Sequence, residues 1–195
     1  SGKMGFALAE VANRLGAAVT LITGPVHLET LAGVNRIDVE TASDMHAAGH
    51  STLKGVDLFI GAAAVCDFRP ASVSKQKLKK SKDDLSQIML TENIDIIHSV
   101  ANSPNRPSLV IGFAAETELV LEHARQKLTT KSLDAVIANC VASGEIFGQD
   151  ETEVTIVFSD SDQKLVPGTK SEVSQEIFAI LSPLLAKGTR NEPEI

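Results

Sequence analysis

Apolar residues mark a helix at the start of the chain. Met4, Leu8, Val11 and Leu15 recur at helical spacing, and Gly16 closes the stripe. The run "AAVTLITG" (17–24) then reads as a short buried strand, rich in β-branched residues and ended by Pro25. "RIDVE" (36–40) alternates as a second strand does, and Thr41 and Ser43 both offer N-caps for a helix running towards Gly55. "VDLFIGAAAV" (56–65) predicts a third strand, apolar on both faces as in a parallel sheet covered by helices.

The alternation continues. "SQIMLT" (86–91) predicts a strand and "NIDIIHSVAN" (93–102) a helix; "SLVIGFAAE" (108–116) and "ETELVLEHARQKLTTK" (116–131) repeat the pair. "DAVIANCV" (134–141) is a further buried strand, and "EVTIVFS" (153–159) with "QKLVPG" (163–168) predicts a hairpin at a sheet edge. A last helix carries Val173, Ile177, Ile180, Leu181 and Leu184, opened by a capping box of Thr169 and Glu172. The fold class is therefore α/β: a Rossmann-like three-layer sandwich with a mostly parallel sheet, helices on both faces and a C-terminal edge hairpin. Residues 1–188 are expected to form one domain, and 189–195 a disordered tail.

In such sheets the ligand sits beyond the carboxyl ends of the strands. Three ends qualify: "GAAAVCD" (61–67), "GFAAET" (112–117) and "ANCV" (138–141). The first two share a Gly-x-Ala-Ala pattern. Small residues let a ligand reach the backbone, although close packing of a helix on the strand demands the same pattern.

Composition narrows the classes. A chain of 195 residues with 43% hydrophobic and 22% charged residues is globular, and its longest apolar runs are too short to span a bilayer. Ser1-Gly2-Lys3-Met4 has no apolar signal-peptide core behind it, and an upstream segment is expected before Ser1. Two cysteines, Cys66 and Cys140, make no disulfide framework; both are expected as small buried thiols in a reducing cytoplasm. His46 and His50 share a helix face but lack the glutamate and third ligand of a zinc motif, so no metal ligands are assigned. The net charge of −7 argues against a general nucleic-acid coat protein and leaves room for one local anion site.

That room is filled by "SVSKQKLKKSK" (72–82), which places five lysines in eleven positions. Like charges so dense repel one another until something anionic arrives. Familiar phosphate motifs do not explain it. Met4 stands where a Walker A loop needs a hydroxyl after Lys3, and no G-x-G-x-x-G fingerprint occurs. Ser1-Gly2-Lys3, at a helix start, remains a credible anion site through its free N–H groups.

With "SGKMG", "GAAAVCDFRP", "KLKK", "NIDII", "GFAAET" and "ARQKLTTKSLDAVIAN" in this order, the chain resembles the bacterial phosphopantothenate–cysteine ligase family along nearly its whole length. In bacteria that domain is usually the C-terminal half of a bifunctional coenzyme A flavoprotein. Many relatives read Asn-Pro-Asp where this chain has Asn93-Ile94-Asp95. The family's first strand, glycine-rich turn and an asparagine after them lie upstream of Ser1.

The resemblance implies a two-step reaction. The carboxylate of 4′-phosphopantothenate attacks the α-phosphate of CTP, releasing pyrophosphate; the amine of L-cysteine then attacks the acyl-cytidylate, releasing CMP. It implies Lys77 as the catalytic triphosphate lysine, with Lys127 and Lys131 as further nucleotide contacts. Gly61, Ala62, Ala63 and Phe113 match base and ribose contacts, Asp67 a nucleotide-binding carboxylate, and Asn93, Ile94, Asp95 and Ile96 a loop and helix start that hold phosphate. Ser1, Gly2 and Lys3 are candidates for substrate binding. Mg²⁺ accompanies CTP, FMN belongs only to a decarboxylase domain upstream, and the family forms homodimers, for which the 153–168 hairpin is a candidate contact. The lysine segment is then a flap that closes over CTP. Two rivals from other classes remain, a nicotinamide-dependent oxidoreductase and a non-enzymatic polyanion-binding module. The missing glycine fingerprint opposes the first, and the absence of Trp and Tyr opposes the second.

Overall fold

The computed structural model describes residues 1–29, 31–74, 76, 87–116, 118–140 and 151–188. Helix α1 (Lys3–Arg14) forms on the predicted stripe and starts from Gly2, whose φ of 75° is a left-handed value that suits glycine. Strands β1 (Val19–Thr23) and β2 (Val34–Asp38) pair in parallel, Val19 opposite Val34. Helix α2 (Ala42–Thr52) begins at Thr41 and not at Ser43. The Asp44 N–H donates to Thr41 Oγ1 at 3.1 Å and the Thr41 N–H donates back to Asp44 Oδ2 at 3.0 Å, a closed capping box.

Strand β3 (Leu58–Gly61) is shorter than the apolar run that announced it. It pairs with one strand among those described, and beyond Gly61 the chain leaves the sheet. Cys66, expected to be buried, is exposed for that reason. A small antiparallel ribbon follows, β4 (Phe68–Pro70) with β5 (Leu90–Glu92). Helix α3 (Ile96–Ala101) starts late, because Asp95 caps it by accepting the His98 N–H at 3.1 Å.

Strand β6 (Leu109–Glu116) leads to α4 (Val120–Thr130), whose start is delayed by Leu119 in a left-handed conformation, φ 50°. Then come β7 (Ala135–Cys140), β8 (Glu151–Thr152), β9 (Val154–Val157), β10 (Asp162–Lys164), β11 (Gly168–Thr169) and α5 (Lys170–Gly188). The expected box at Thr169 and Glu172 opens α5, with the Thr169 N–H 2.9 Å from Glu172 Oε2.

The central sheet runs β10-β9-β7-β6-β3. It is mixed: β3, β6 and β7 are parallel, and β9 and β10 add an antiparallel edge hairpin. Alternating side chains feed two cores. Ile111, Ala135, Ile137 and Ile156 pack on one face with Leu8 and Val11 of α1 and Ile177 and Leu181 of α5. Val110, Ala114, Val136 and Val157 pack on the other with Val100 of α3, Ala124 and Leu128 of α4, and Leu53 after α2. This is the predicted three-layer arrangement. Asp134 ties its lower edge together, accepting the Val110 N–H at 2.6 Å and the Arg106 guanidinium at 2.7 Å.

Candidate functional site

Gly61 of β3 and Gly112 of β6 lie directly opposite one another. Both are glycine because α3 and the α4–β7 turn press on them. A Cβ on Gly61 would lie 2.8 Å from Ile97 Cδ1, and one on Gly112 2.8 Å from Leu133 Cδ1. Of the two explanations for the Gly-x-Ala-Ala pattern, helix packing therefore accounts for the glycines. The alanines divide: Ala114 is buried in the core on the α3/α4 face, whereas Ala63 and Ala64 are exposed in the loop that leaves β3.

Two lysines flank this glycine floor. Lys127 is half-buried and donates to the Phe113 carbonyl at 2.5 Å. Lys131, one helical turn on, pairs with Asp95 at 2.9 Å. The spacing of four residues thus brings both ammonium groups to the α3/α4 face of the sheet, as expected. Burial raises the Asp95 pKa, but the hydrogen bond from Lys131, the His98 N–H and the charges of Lys131 and His98 outweigh it, and the carboxyl ends below its ordinary value.

Asn93 sits at the base of the ribbon. Its backbone N–H donates to the Asp67 carbonyl at 2.7 Å and its Nδ2 to the Cys66 carbonyl at 2.8 Å. Arg69 donates to Asn93 Oδ1 at 2.9 Å and to the Glu92 carbonyl at 2.7 Å. A guanidinium only donates, so this contact sets the orientation of the Asn93 amide. Asn93 therefore clasps the strand-end loop to the start of α3, next to exposed Ile94 and Asp95 and half-buried Ile96.

The remaining predicted residues divide. Asp67 is exposed beside that loop. Ala62 and Phe113 turn their side chains to the opposite face, into the α1/α5 core. Ser1 and Gly2 are exposed, whereas Lys3 lines a shallow cavity of about 270 Å³ with Phe6, Leu28 and Thr169. That cavity is on the α1/α5 side and does not touch Lys127 or Lys131. Lys77 lies outside the described residues, as do the other lysines of its segment. The rings of His46 and His50 lie 4.5 Å apart, tilted by 49°, but His50 Nε2 is 2.9 Å from Ser99 Oγ, and no group of three metal-ligating side chains forms among the described residues.

One residue escaped sequence reasoning. Asn139, at the carboxyl end of β7, donates from Nδ2 to Thr152 Oγ1 at 3.1 Å, while its Oδ1 is buried without a partner among the described residues. A buried acceptor left open is costly unless something donates to it. The available signal was a lone amide ending the otherwise apolar run "DAVIAN" at a strand end.

Comparison with known proteins gives consistent results. The family described as DNA/pantothenate metabolism flavoprotein C-terminal domain matches residues 1–184. The coenzyme A biosynthesis bifunctional protein CoaBC of Vibrio cholerae is 44% identical over 184 residues, covering 93% of this chain and 46% of its own length. The Escherichia coli protein of the same name is 43% identical over 181 residues, covering 91% of this chain and 44% of its own. The chain thus spans about half the length of these relatives. Among solved structures, the C-terminal domain of a CoaBC protein superposes with a TM-score of 0.79 at 35% identity, covering 96% of this chain and 84% of that one. A Cab2 variant in complex with phosphopantothenate-cysteine superposes at 0.73 with 15% identity, a likeness of fold alone, covering 96% and 80%.

Proposed function

Because the chain belongs to the DNA/pantothenate metabolism flavoprotein C-terminal domain family, we propose that it carries the ligase half of a coenzyme A biosynthetic protein. It joins 4′-phosphopantothenate to L-cysteine with CTP. The carboxylate oxygen attacks the α-phosphorus and pyrophosphate leaves; the cysteine amine then attacks the acyl carbon, loses a proton, and CMP leaves with the bridging oxygen. The family match over 184 consecutive positions carries this reading.

The residue roles follow from charge. A triphosphate approaching a carboxylate concentrates negative charge that cations must neutralise as it shifts in the transition state. Lys127 and Lys131 hold the bound nucleotide from the α4 side, and Lys77 acts on the triphosphate during attack. Gly61, Ala62 and Ala63 present backbone groups to the base and ribose near Phe113, and Ser1, Gly2 and Lys3 receive the second substrate. Exposed Asp67 serves as a nucleotide-binding carboxylate, and Mg²⁺ accompanying the triphosphate would supply further charge neutralisation at the phosphates. No described helix is long and apolar enough to cross a membrane, in keeping with a cytoplasmic setting.

On this reading the domain, residues 1–188, takes its first strand and glycine-rich turn from before Ser1. Strands β1 and β3 each have one edge unpaired among the described strands, which a parallel strand entering α1 would suit. FMN belongs only to a decarboxylase domain that would lie upstream, and not to this one. The homodimer uses the ribbon and not the C-terminal hairpin. Phe68, Ile88, Met89 and Leu90 are all more than half exposed, whereas β10 presents Asp162, Gln163 and Lys164, an edge guarded by charge.

The test is pyrophosphate release by the full-length protein with 4′-phosphopantothenate and a nucleotide, cysteine withheld. CTP should support it well above ATP or GTP. Equal rates with CTP and ATP would remove the pyrimidine assignment; no release with any nucleotide would remove the ligase. Sedimentation of an Ile88→Lys, Met89→Lys variant should yield monomers where the natural protein yields dimers.

A further inference from the structure

Arg69 is an exposed residue of β4, opposite Thr91 in the ribbon. A single nitrogen of its guanidinium, Nη1, donates to two acceptors on the far strand and just beyond it. These are the Glu92 carbonyl at 2.7 Å and Asn93 Oδ1 at 2.9 Å. The other end of that amide, Asn93 Nδ2, donates to the Cys66 carbonyl at 2.8 Å. A guanidinium cannot accept and a carbonyl cannot donate, so both contacts demand the same orientation of the amide. Turned over, the amide would lose both bonds.

The relay from Arg69 through Asn93 to Cys66 joins pieces that lie apart in sequence: the ribbon, the residues leading into α3, and the loop that leaves β3. A second bond runs beside it, from the Asn93 N–H to the Asp67 carbonyl at 2.7 Å. Strand β4, Cys66 and Asp67 are all exposed, so burial does little to hold this corner and hydrogen bonds do most.

We propose that Arg69 is a positioning residue for the nucleotide site. Acting through the Asn93 amide, it keeps the strand-end loop of residues 61–67 in register with Asn93–Ile96, so that both segments meet the nucleotide together. The proposal rests on the nucleotide reading above and leaves the contacts assigned to both segments unchanged. What Arg69 supplies is preorganisation: the loop is ordered before the nucleotide arrives, and binding need not order it.

A double-substitution cycle in the full-length protein tests this. Arg69→Met keeps an unbranched chain and removes every donor. It should weaken CTP binding about tenfold, the scale of one charge-assisted hydrogen bond. Asn93→Ala should weaken it at least as much. The combined variant should bind no more weakly than Asn93→Ala alone, because Arg69 then has no amide to act through. Losses that multiply would mean that Arg69 works independently, as a direct phosphate contact or through its charge, and would overturn the proposal. Arg69→Lys, which can offer both bonds from one ammonium, should retain most of the affinity. Added guanidinium ion should restore CTP binding to Arg69→Met and not to the combined variant. A lower melting temperature with natural CTP affinity in Arg69→Met would make Arg69 a tie of the ribbon alone, and the proposal would fall. Failure of the natural protein to bind CTP, ATP or GTP would instead bring down the nucleotide reading itself, before any variant is made.

Discussion

The β9–β10 hairpin and the β4–β5 ribbon are both small antiparallel pairs, and they are finished to different degrees. In the hairpin, Val154, Ile156 and Val157 are buried against β7, and the outward strand carries Asp162, Gln163 and Lys164. Arg125 of α4 reaches over to Asp162 and holds it. In the ribbon, β4 is exposed throughout, and Ile88 and Met89 are 72% and 73% exposed just before Leu90. Exposed apolar surface at this density marks an interaction site. The difference teaches where the described residues satisfy one another. The sheet, its hairpin and the lysine pair of α4 do so, whereas the ribbon leaves Phe68, Ile88, Met89 and Leu90 uncovered by any described residue.

The largest effect that would sharpen this contrast is expected in the lysine segment, which lies in sequence between the two ribbon strands. Lys77→Gln should slow pyrophosphate release about 100- to 1000-fold, the cost of one lost transition-state contact, while Lys164→Gln on the hairpin should leave the rate unchanged. Similar rates for the two variants would erase the distinction. Next comes the preassembled side of the site. Lys127→Ala removes a charge-assisted contact and should weaken CTP binding by roughly 1.5–3 kcal/mol, chiefly as a ground-state affinity. Lys77→Gln should affect affinity much less. Unchanged CTP affinity in Lys127→Ala would reduce that helix face to an ordinary solvated one.

A smaller effect tests the close packing of the finished part. Gly112→Ala places a methyl group 2.8 Å from Leu133 Cδ1 and 3.3 Å from Ile97 Cδ1. Those are side-chain ends that can yield, so the loss of stability should be about 1 kcal/mol, the low end for overpacking. Val73→Ser, at an 82% exposed position beside the ribbon, should stay within about 0.5 kcal/mol. Denaturant melts of the two variants measure the gap. The smallest effect is on pH. The Asp95 carboxyl lies below its ordinary value in the folded protein, so the stability it contributes is complete above about pH 4, the unfolded value, and is lost as pH falls through the native one. The stability difference between the natural protein and Asp95→Asn should close as pH falls below about 4. A difference that stays constant across that range would break the assignment.

Much of this molecule was determined by short-range pattern. The stripe of Met4, Leu8 and Val11 forms α1, and the Thr169–Glu172 pair opens α5. The alternation of strands and helices sets the three layers, because caps and periodicity involve residues within one or two turns of each other. The lysine spacing of four likewise places Lys127 and Lys131 on one face. What tertiary structure alone decided are contacts between residues far apart in the chain. The apolar run from Val56 stops being a strand at Gly61, although its neighbour β6 runs on from Gly112 to Glu116, and the chain that leaves the sheet there exposes Cys66. Ile97 and Leu133 press on Gly61 and Gly112 and favour glycine there, and Asp95 turns Lys131 from a solvated charge into half of an ion pair. The open acceptor of Asn139 became visible only once its amide was found buried at the end of β7. Periodicity records which face a side chain takes; it carries no record of which distant side chain meets it there, and the chemistry of this site is made of such meetings.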